Sequence, residues 1–172
     1  VYKRQTLRDL IEEVGRDATR YFLAARAANS QLTFDINLAL SQSNDNPVYY
    51  IQYAHARACS VMRKLTEQGW GWDQQAALAN LDQLAEEHEK ALLRQLARYP
   101  EIVAAAAASS EPHTVASYLR ELAADFHTCY NAHKMLVEDQ ALRDARVALC
   151  EAVRQVVANG LGLLGVSAPE AM

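Results

Sequence analysis

Tyrosine, arginine and lysine side chains recur at helical spacing after a proline-containing turn. Pro47 suits the first position of a helix, and Asn44 or Asp45 can accept a hydrogen bond from its first turn, so a helix is predicted from Pro47 to about Leu65. At about 100° per residue, one arc of roughly 60° on this helix holds Tyr50, Tyr53, Arg57 and Lys64. Single-stranded RNA bases stack on aromatic rings and accept hydrogen bonds from arginine. The face therefore predicts an RNA-binding site.

A second face of the same helix, offset by roughly 100°, predicts contact with a core. It carries Ile51, His55, Ala58, Met62 and Leu65. Tyrosines in helices often only cover a core, so geometry alone leaves RNA binding and a purely structural role equally open. The residues that carry a full charge at pH 7 from position 49 to position 64 are Arg57, Arg63 and Lys64, with no acid, which makes this helix locally positive.

The composition indicates one helical domain around this site. The chain has 172 residues, of which 51% are hydrophobic and 22% charged, and alternating strand patterns are nearly absent, which predicts an all-α bundle. The longest apolar run, at positions 102–108, is too short to cross a bilayer, so a cytoplasmic protein without a membrane partner is expected. A net charge of -4 disfavours a protein that coats DNA nonspecifically, but it permits a local RNA site.

Helix-forming runs separated by capping and turn residues predict the order of the elements. Thr6, Asp73 and Asp139 are predicted helix caps, and Asn159-Gly160 is predicted to end the last helix. The apolar segment 161–172 is expected to pack on the bundle. The predicted helices span about 7–28, 36–42, 47–65, a stretch after Asp73, 81–98, 101–108, 112–137 and 139–158.

The residue types for metal or nucleophilic chemistry lack the required spacings. No histidine has a glutamate three residues before it, no two histidines are four apart, and none of the three cysteines lies in a C-x-x-C pair. Gly-x-Ser-x-Gly and phosphate-binding glycine loops are also absent. We therefore predict no metal site and no catalytic residue. His127 and His133 are interpreted as packed or surface side chains, and the acidic run 86–89 as a solvated face.

Several segments resemble one family. Residues Asn44 to Arg57 resemble the signature of bacterial arginyl-tRNA synthetases. Segments 6–18 and 30–38 are similar to that family's region after the class I signature loop and to its connector. The DALR anticodon-binding domain of this family is named after a four-residue motif, and Ala141-Leu142-Arg143 lies at the position of that motif. Gln140 stands between Asp139 and Ala141, so the motif is interrupted by one residue.

The resemblance covers residues 6–172 and implies a domain organisation. Residues 44–172 would form a DALR-type anticodon-binding domain, and residues 6–43 the end of the class I catalytic and connecting region. Residues 1–5 do not fit and are expected to be a non-native leader. The implied fold is an all-α helical bundle of the class I aminoacyl-tRNA synthetase anticodon-binding type.

The resemblance also implies a function. The parent enzyme would ligate arginine to its tRNA with ATP and Mg, and this fragment, without a catalytic site or cofactor of its own, would recognise the anticodon loop and be inactive alone. The expected partner is an arginine-accepting tRNA, and the expected parent is a monomer. Combined with the face described above, the implied anticodon-binding residues are Tyr50, Tyr53, Arg57, Lys64, Tyr130, Lys134 and Met172. The alternative is an all-α adaptor or oligomerisation bundle that binds protein through the same face.

Overall fold

Residues 6–172 are described by a computed structural model, and residues 1–5, with the expected leader, lie outside the described residues. The described part contains helices and no strand, which confirms the predicted all-α class. The helices are α1 (Leu7–Val14), α2 (Arg16–Ala24), α3 (Ile36–Leu40), α4 (Pro47–Glu67), α5 (Gln74–Ala79), α6 (Glu87–Ala97), α7 (Tyr99–Ser109), α8 (His113–Ala132) and α9 (Gln140–Leu164), with a 3-10 turn at Leu81–Gln83.

The three long helices α4, α8 and α9 pack against one another and enclose the core. Helices α6 and α7 cover α8, while α5 packs on α9. Of the predicted core face of α4, Ile51, His55, Ala58 and Leu65 are buried, whereas Met62 is half-buried. The apolar stripe of α4 thus orients the helix and turns its tyrosine and arginine face toward α8.

Short polar side chains start most of the helices as predicted. Thr6, Asp73 and Asp139 each accept a hydrogen bond from the first turn of the helix that follows. Helix α4 differs, because its cap is Asn46 and not Asn44 or Asp45. The Asn46 side chain accepts from the Val48 amide at 3.2 Å and donates to the Ser41 carbonyl at 2.8 Å. A buried amide can do both, which an aspartate could not.

The first predicted helix, 7–28, is two helices in the structure. Gly15 has φ +86° and separates α1 from α2. This region of backbone space favours glycine, so the chain turns here instead of continuing the helix. Helix α2 then ends at Ala24.

The last helix is longer than predicted. Helix α9 continues through Asn159-Gly160 to Leu164, and Gly165, with φ +69°, caps it. Gly160 is buried, and a Cβ built on it would lie 2.6 Å from Leu119 Cδ2 of α8. The glycine therefore allows two helices to approach closely, and it does not terminate one. Arg20 Nε of α2 donates to the Leu164 carbonyl at 3.1 Å and stabilises the true end.

Helix α8 is shorter than predicted, because it ends at Ala132 and His133 is extended. The following segment buries Met135 and Leu136. Arginines of α9 bind its backbone: Arg146 Nη1 donates to the Lys134 carbonyl at 2.9 Å, and Arg143 Nη1 donates to the Val137 carbonyl at 3.0 Å. These hydrogen bonds satisfy backbone carbonyls of the segment, which is not helical and so has no helical hydrogen bonds of its own.

The acidic run 86–89 is only partly the solvated face that was predicted. Glu86, Glu87 and His88 are exposed, but Glu89 is fully buried. Its Oε1 accepts from Arg146 Nε at 2.7 Å, and its Oε2 accepts from the Glu86 amide at 3.0 Å. Glu86 and Glu89 thus form the capping box of α6, which begins at residue 87 and not at residue 81.

Helix α9 is, among the described residues, long and apolar enough by length and composition to cross a membrane. Half of that stretch (50%) is buried inside the bundle, as expected for a core helix.

Candidate nucleic-acid interface

Arg57 of α4 lies at the centre of a polar and aromatic cluster shared with α8. Its Nη1 lies 3.1 Å from His127 Nδ1 and donates to Asn131 Oδ1 at 3.2 Å. Its Nη2 donates to the Tyr53 hydroxyl at 2.9 Å. Because side chains three or four positions apart share a helix face, Tyr53 and Arg57 converge from α4, while His127, Tyr130 and Asn131 converge from α8.

Two tyrosine rings contact the Arg57 guanidinium. Its central carbon lies 4.6 Å from the centroid of the Tyr53 ring and 4.5 Å from that of Tyr130. A guanidinium has five N–H donors, of which Nη1 uses two here and Nη2 one. Among the described residues, Nε–H and the second Nη2–H have no partner. The guanidinium therefore keeps two N–H donors free for a ligand.

A basic cleft of about 280 Å³ opens beside this cation. Arg63 also lines the cleft, so it brings three cations together in an acidic chain. Five of the seven predicted anticodon-binding residues line it, namely Tyr53, Arg57, Lys64, Tyr130 and Met172.

Lys134, the sixth predicted residue, lines an adjoining cleft of about 300 Å³. Lys64 and Tyr130 line both clefts, so the two form one continuous surface. His133 and Gln68 lie beside Lys134 in the second cleft. A fourth cation thus extends the positive surface along the end of α8.

Tyr50, the seventh predicted residue, lies outside both clefts. Its ring packs 4.5 Å from the His127 ring, centroid to centroid, and it is half-buried against the core. Burial raises the pKa of its phenol above the ordinary value. The structure therefore places Tyr50 behind His127, one side chain away from Arg57.

The segment after α9 carries Met172 to the cleft, and its predicted packing on the bundle is confirmed. Val166 is buried, His55 Nδ1 donates to the Pro169 carbonyl at 2.9 Å, and Arg63 Nη1 donates to the Glu170 carbonyl at 3.0 Å. His55 is thus buried as predicted for the core face, but its polar contact holds this segment on α4. Met172 itself is 53% exposed at the cleft.

Sequence reasoning missed His127 and Asn131, which hold Arg57 in place. His127 was interpreted as a packed or surface side chain, and it is packed, with 5% exposure. The sequence feature that points to His127 is its spacing, since it lies three residues before Tyr130 and therefore on the same face of α8. Burial lowers the pKa of His127 below its usual 6.5, and the Arg57 cation lowers it further, opposed by the hydrogen bond to the Tyr50 carbonyl.

Within residues 6–172, no three His, Cys, Asp or Glu side chains form a group that could hold a metal ion. His88 Nδ1 and His133 Nε2 approach to 3.3 Å, but they stand as a pair. The cysteines are buried and free, and burial raises the pKa of the Cys129 thiol to about 11.

Comparison with known proteins places this arrangement in a family. The family described as "DALR anticodon binding domain" matches residues 51–172. Two arginine-tRNA ligases are similar over 97% of this chain and 28% of their own length: one from Thioalkalivibrio sulfidiphilus (strain HL-EbGR7), 59% identical, and one from Legionella pneumophila (strain Corby), 58% identical. The solved arginyl-tRNA synthetase of Thermus thermophilus superposes with a TM-score of 0.76 at 34% identity, over 93% of this chain and 27% of that one.

These relatives confirm the predicted resemblance and the predicted anticodon-binding type of helical fold. The chain spans less than a third of the length of the ligases that it matches. With a match over residues 51–172, this chain belongs to the family of DALR anticodon-binding domains.

Proposed function

We propose that this chain recognises the anticodon loop of an arginine-accepting tRNA as part of an arginine-tRNA ligase. The observation that carries the proposal is the Arg57 guanidinium, which contacts Tyr53 and Tyr130, lines a basic cleft and keeps two N–H donors free. The Tyr50, Tyr53, Arg57, Lys64, Tyr130, Lys134 and Met172 side chains form the proposed binding surface.

The free edge of Arg57 suits a cytosine. Cytosine presents two adjacent acceptors, N3 and O2, on its Watson–Crick edge, whereas uracil presents a donor at N3. Two parallel N–H donors of one guanidinium match the cytosine pair and oppose the uracil pattern. The resemblance to arginyl-tRNA synthetases points to the central cytosine of the anticodon as the base that is read.

The other side chains of the surface have complementary roles in the proposal. The exposed Lys64 and Lys134 side chains would meet phosphate groups, and the Tyr130 ring would stack on a base, a contact worth about 1–3 kcal/mol. Tyr53, whose ring already stacks on Tyr49 and His127, would hold Arg57 through its hydroxyl. Met172 would supply an apolar contact. Tyr50 would act from behind, through the His127 ring that it packs on.

The proposed domain division is the one that the resemblance to arginyl-tRNA synthetases implies. Residues 44–172 would form the anticodon-binding domain, and residues 6–43 the end of the catalytic and connecting region. Helix α2 of that region binds the domain through Arg20, which donates to the Leu164 carbonyl, and through Asp17, which accepts from Gln52 Nε2 at 3.1 Å. These contacts would attach the connecting region to the surface that holds Met172.

The parent ligase would attach arginine to tRNA with ATP and Mg, act in the cytoplasm and be monomeric. The described residues contain no metal-binding group, so we assign no ATP or Mg site and no step of that chemistry to them. Supplied with ATP, arginine and tRNA, the 172-residue chain alone should form no aminoacyl-tRNA. Product formation by the purified chain would contradict this assignment.

A titration with two RNAs tests the proposed function. An arginine-tRNA anticodon stem-loop and the same stem-loop with its central cytosine changed to uridine are titrated against the chain. We expect the cytosine RNA to bind tighter by about 1–3 kcal/mol, as for one bidentate base contact, with affinity that falls steeply with salt. Equal binding of the two RNAs would refute base readout. Absence of RNA binding would favour the adaptor or oligomerisation bundle.

A further inference from the structure

His127 is buried between the two helices and contacts a different group with each ring nitrogen. Its Nδ1 lies 3.1 Å from Arg57 Nη1, and its Nε2 lies 3.2 Å from the backbone carbonyl oxygen of Tyr50. Its ring also stacks on Tyr53 at 5.4 Å between centroids, with 25° between planes. With 5% exposure, the ring does not reach the cleft and has no room to contact RNA itself.

We infer that His127 is a positioning residue, which holds the Arg57 guanidinium ready for base recognition through an unprotonated Nδ1; this inference rests on the proposed function. A carbonyl oxygen can only accept, so the Nε2 atom next to Tyr50 carries the proton. The neutral ring then has a lone pair on Nδ1, which accepts from the Arg57 N–H. The tautomer is set by the backbone of the same helix that carries Arg57.

This arrangement determines which Arg57 donors remain for RNA. His127 and Asn131 accept from Nη1, and Tyr53 accepts from Nη2. The three acceptors leave Nε–H and one Nη2–H without a hydrogen-bond partner among the described residues. Without the His127 acceptor, one Nη1 hydrogen is released, and only Asn131 restrains that side of the guanidinium.

Protonation of His127 would reverse the interaction with Arg57. A proton on Nδ1 replaces the lone pair with a donor and places a second positive charge against the guanidinium. The groups that face the ring from α4 are Arg57 and the phenols of Tyr50 and Tyr53, and on its own helix it packs against Phe126. Arg120 and Asp125 of α8 act on the neighbouring Tyr50 phenol. Within residues 6–172, no carboxylate is among the groups that shift the His127 pKa, and the hydrogen bond to the Tyr50 carbonyl is the one contribution that favours the protonated ring.

Two substitutions separate the two ring nitrogens. In His127→Asn, the amide oxygen occupies nearly the place of Nδ1 and can still accept from Arg57. In His127→Gln, the longer amide reaches the place of Nε2, so its NH2 group can donate to the Tyr50 carbonyl, but no acceptor remains at the place of Nδ1. Both variants lose the stacked ring and the titration, and thus each controls for the other.

The test measures affinity for the cytosine stem-loop at about pH 7.5 and about pH 5.5, a range that spans the ordinary histidine titration. At the higher pH, we expect His127→Gln to bind roughly tenfold weaker and His127→Asn to stay within about threefold of the parent chain, as for loss and retention of a charged hydrogen bond. At the lower pH, the parent chain should lose affinity relative to His127→Asn. Protonation of the other histidines adds positive charge and should raise the affinity for RNA. A loss of affinity in the parent chain relative to His127→Asn therefore points to His127.

Arg57→Ala, measured beside these variants, distinguishes failure of this inference from failure of the proposed function. If Arg57→Ala leaves RNA binding unchanged, the proposed function is wrong. If Arg57→Ala weakens binding while His127→Gln binds like the parent chain, the positioning role is wrong. Nitrogen-15 shifts of the parent chain give a second readout that needs no substitution. They should show a proton on His127 Nε2 and none on Nδ1, and a protonated Nδ1 near neutral pH would overturn the inference even if the variants do not fold.

Discussion

The Arg57 guanidinium lies 4.5 Å from the centroid of the Tyr130 ring and joins helix α4 to helix α8. The centroid of the Tyr53 ring lies 4.6 Å from the same guanidinium carbon. Two cation–π contacts and three hydrogen-bond contacts thus hold one guanidinium in place. Side chains of two packed helices thus form the site, although the sequence pattern that predicts it lies on α4 alone.

Replacing Arg57 should weaken RNA binding more than it weakens the fold. Arg57→Ala removes the proposed base contact and should cost about 1–3 kcal/mol of binding to the cytosine stem-loop. It also removes three intramolecular hydrogen bonds, so unfolding by urea is measured on the same variant. Arg57→Lys is the matched control, since it keeps the charge but not the planar fork. Full binding by Arg57→Lys would mean that charge alone suffices.

The Tyr130 ring should contribute through its face and not through its hydroxyl. Tyr130→Ala opens one side of Arg57 and removes a stacking surface, so we expect RNA binding to weaken by about 1–3 kcal/mol. Tyr130→Phe retains the ring and should bind like the parent chain. Calorimetric titration of both variants with one stem-loop measures the difference. A large loss in the phenylalanine variant would instead assign the contact to the hydroxyl.

The buried ion pair between Glu89 and Arg146 should dominate the electrostatic part of stability. The two side chains are 0% and 9% exposed, and their atoms lie 2.7 Å apart. Glu89→Ala leaves a buried guanidinium without its carboxylate and should cost about 3–5 kcal/mol of unfolding free energy. The exposed Glu87, paired with Lys90 at 3.4 Å, is the control, and Glu87→Ala should cost about 0.5 kcal/mol or less. Similar losses in both variants would contradict the distinction between buried and exposed pairs.

Alanine substitutions at two glycines of α9 should change the free energy of unfolding in opposite directions. Gly162 has open space around it, so Gly162→Ala should raise helix propensity and stabilise the chain by about 0.8–1 kcal/mol. A Cβ on Gly160 would meet the buried Leu119 side chain at 2.6 Å, and overpacking typically costs about 1–3 kcal/mol, which outweighs that gain. Urea unfolding of the two variants measures the difference. Stabilisation by Gly160→Ala would show that α8 and α9 separate easily.

The titration of His127 should make stability fall in mild acid. Burial and the Arg57 cation hold its folded pKa below the ordinary 6.5, so the unfolded chain binds the proton more tightly. The contribution of His127 to the unfolding free energy is therefore fully present above about pH 6.5. It is lost as the pH falls through the lower pKa that His127 has in the folded chain. The unfolding free energy is compared between the parent chain and His127→Asn from about pH 8 to about pH 5. An identical pH dependence in both would contradict this assignment.

Local features of the sequence were sufficient for much of the fold. Capping residues such as Thr6, Asp73 and Asp139 start helices because their side chains bond within one turn. Gly160 and Glu89 misled the sequence interpretation, since a glycine within a helix and an acid in a charged run have their usual meanings only at a surface. Both are explained by a neighbour distant in the chain, Leu119 for one and Arg146 for the other.

The sequence by itself determined that the protein is helical, that α4 carries a tyrosine and arginine face, and which family the chain resembles, because these depend on spacing within one helix and on residues read in order. Only the tertiary structure decided that Tyr130, His127 and Asn131 surround Arg57, that Tyr50 lies behind the cleft and that Met172 reaches it. These relations depend on the angle and register at which α4 and α8 pack. That packing is the outcome of burying the whole core, and no short segment encodes it.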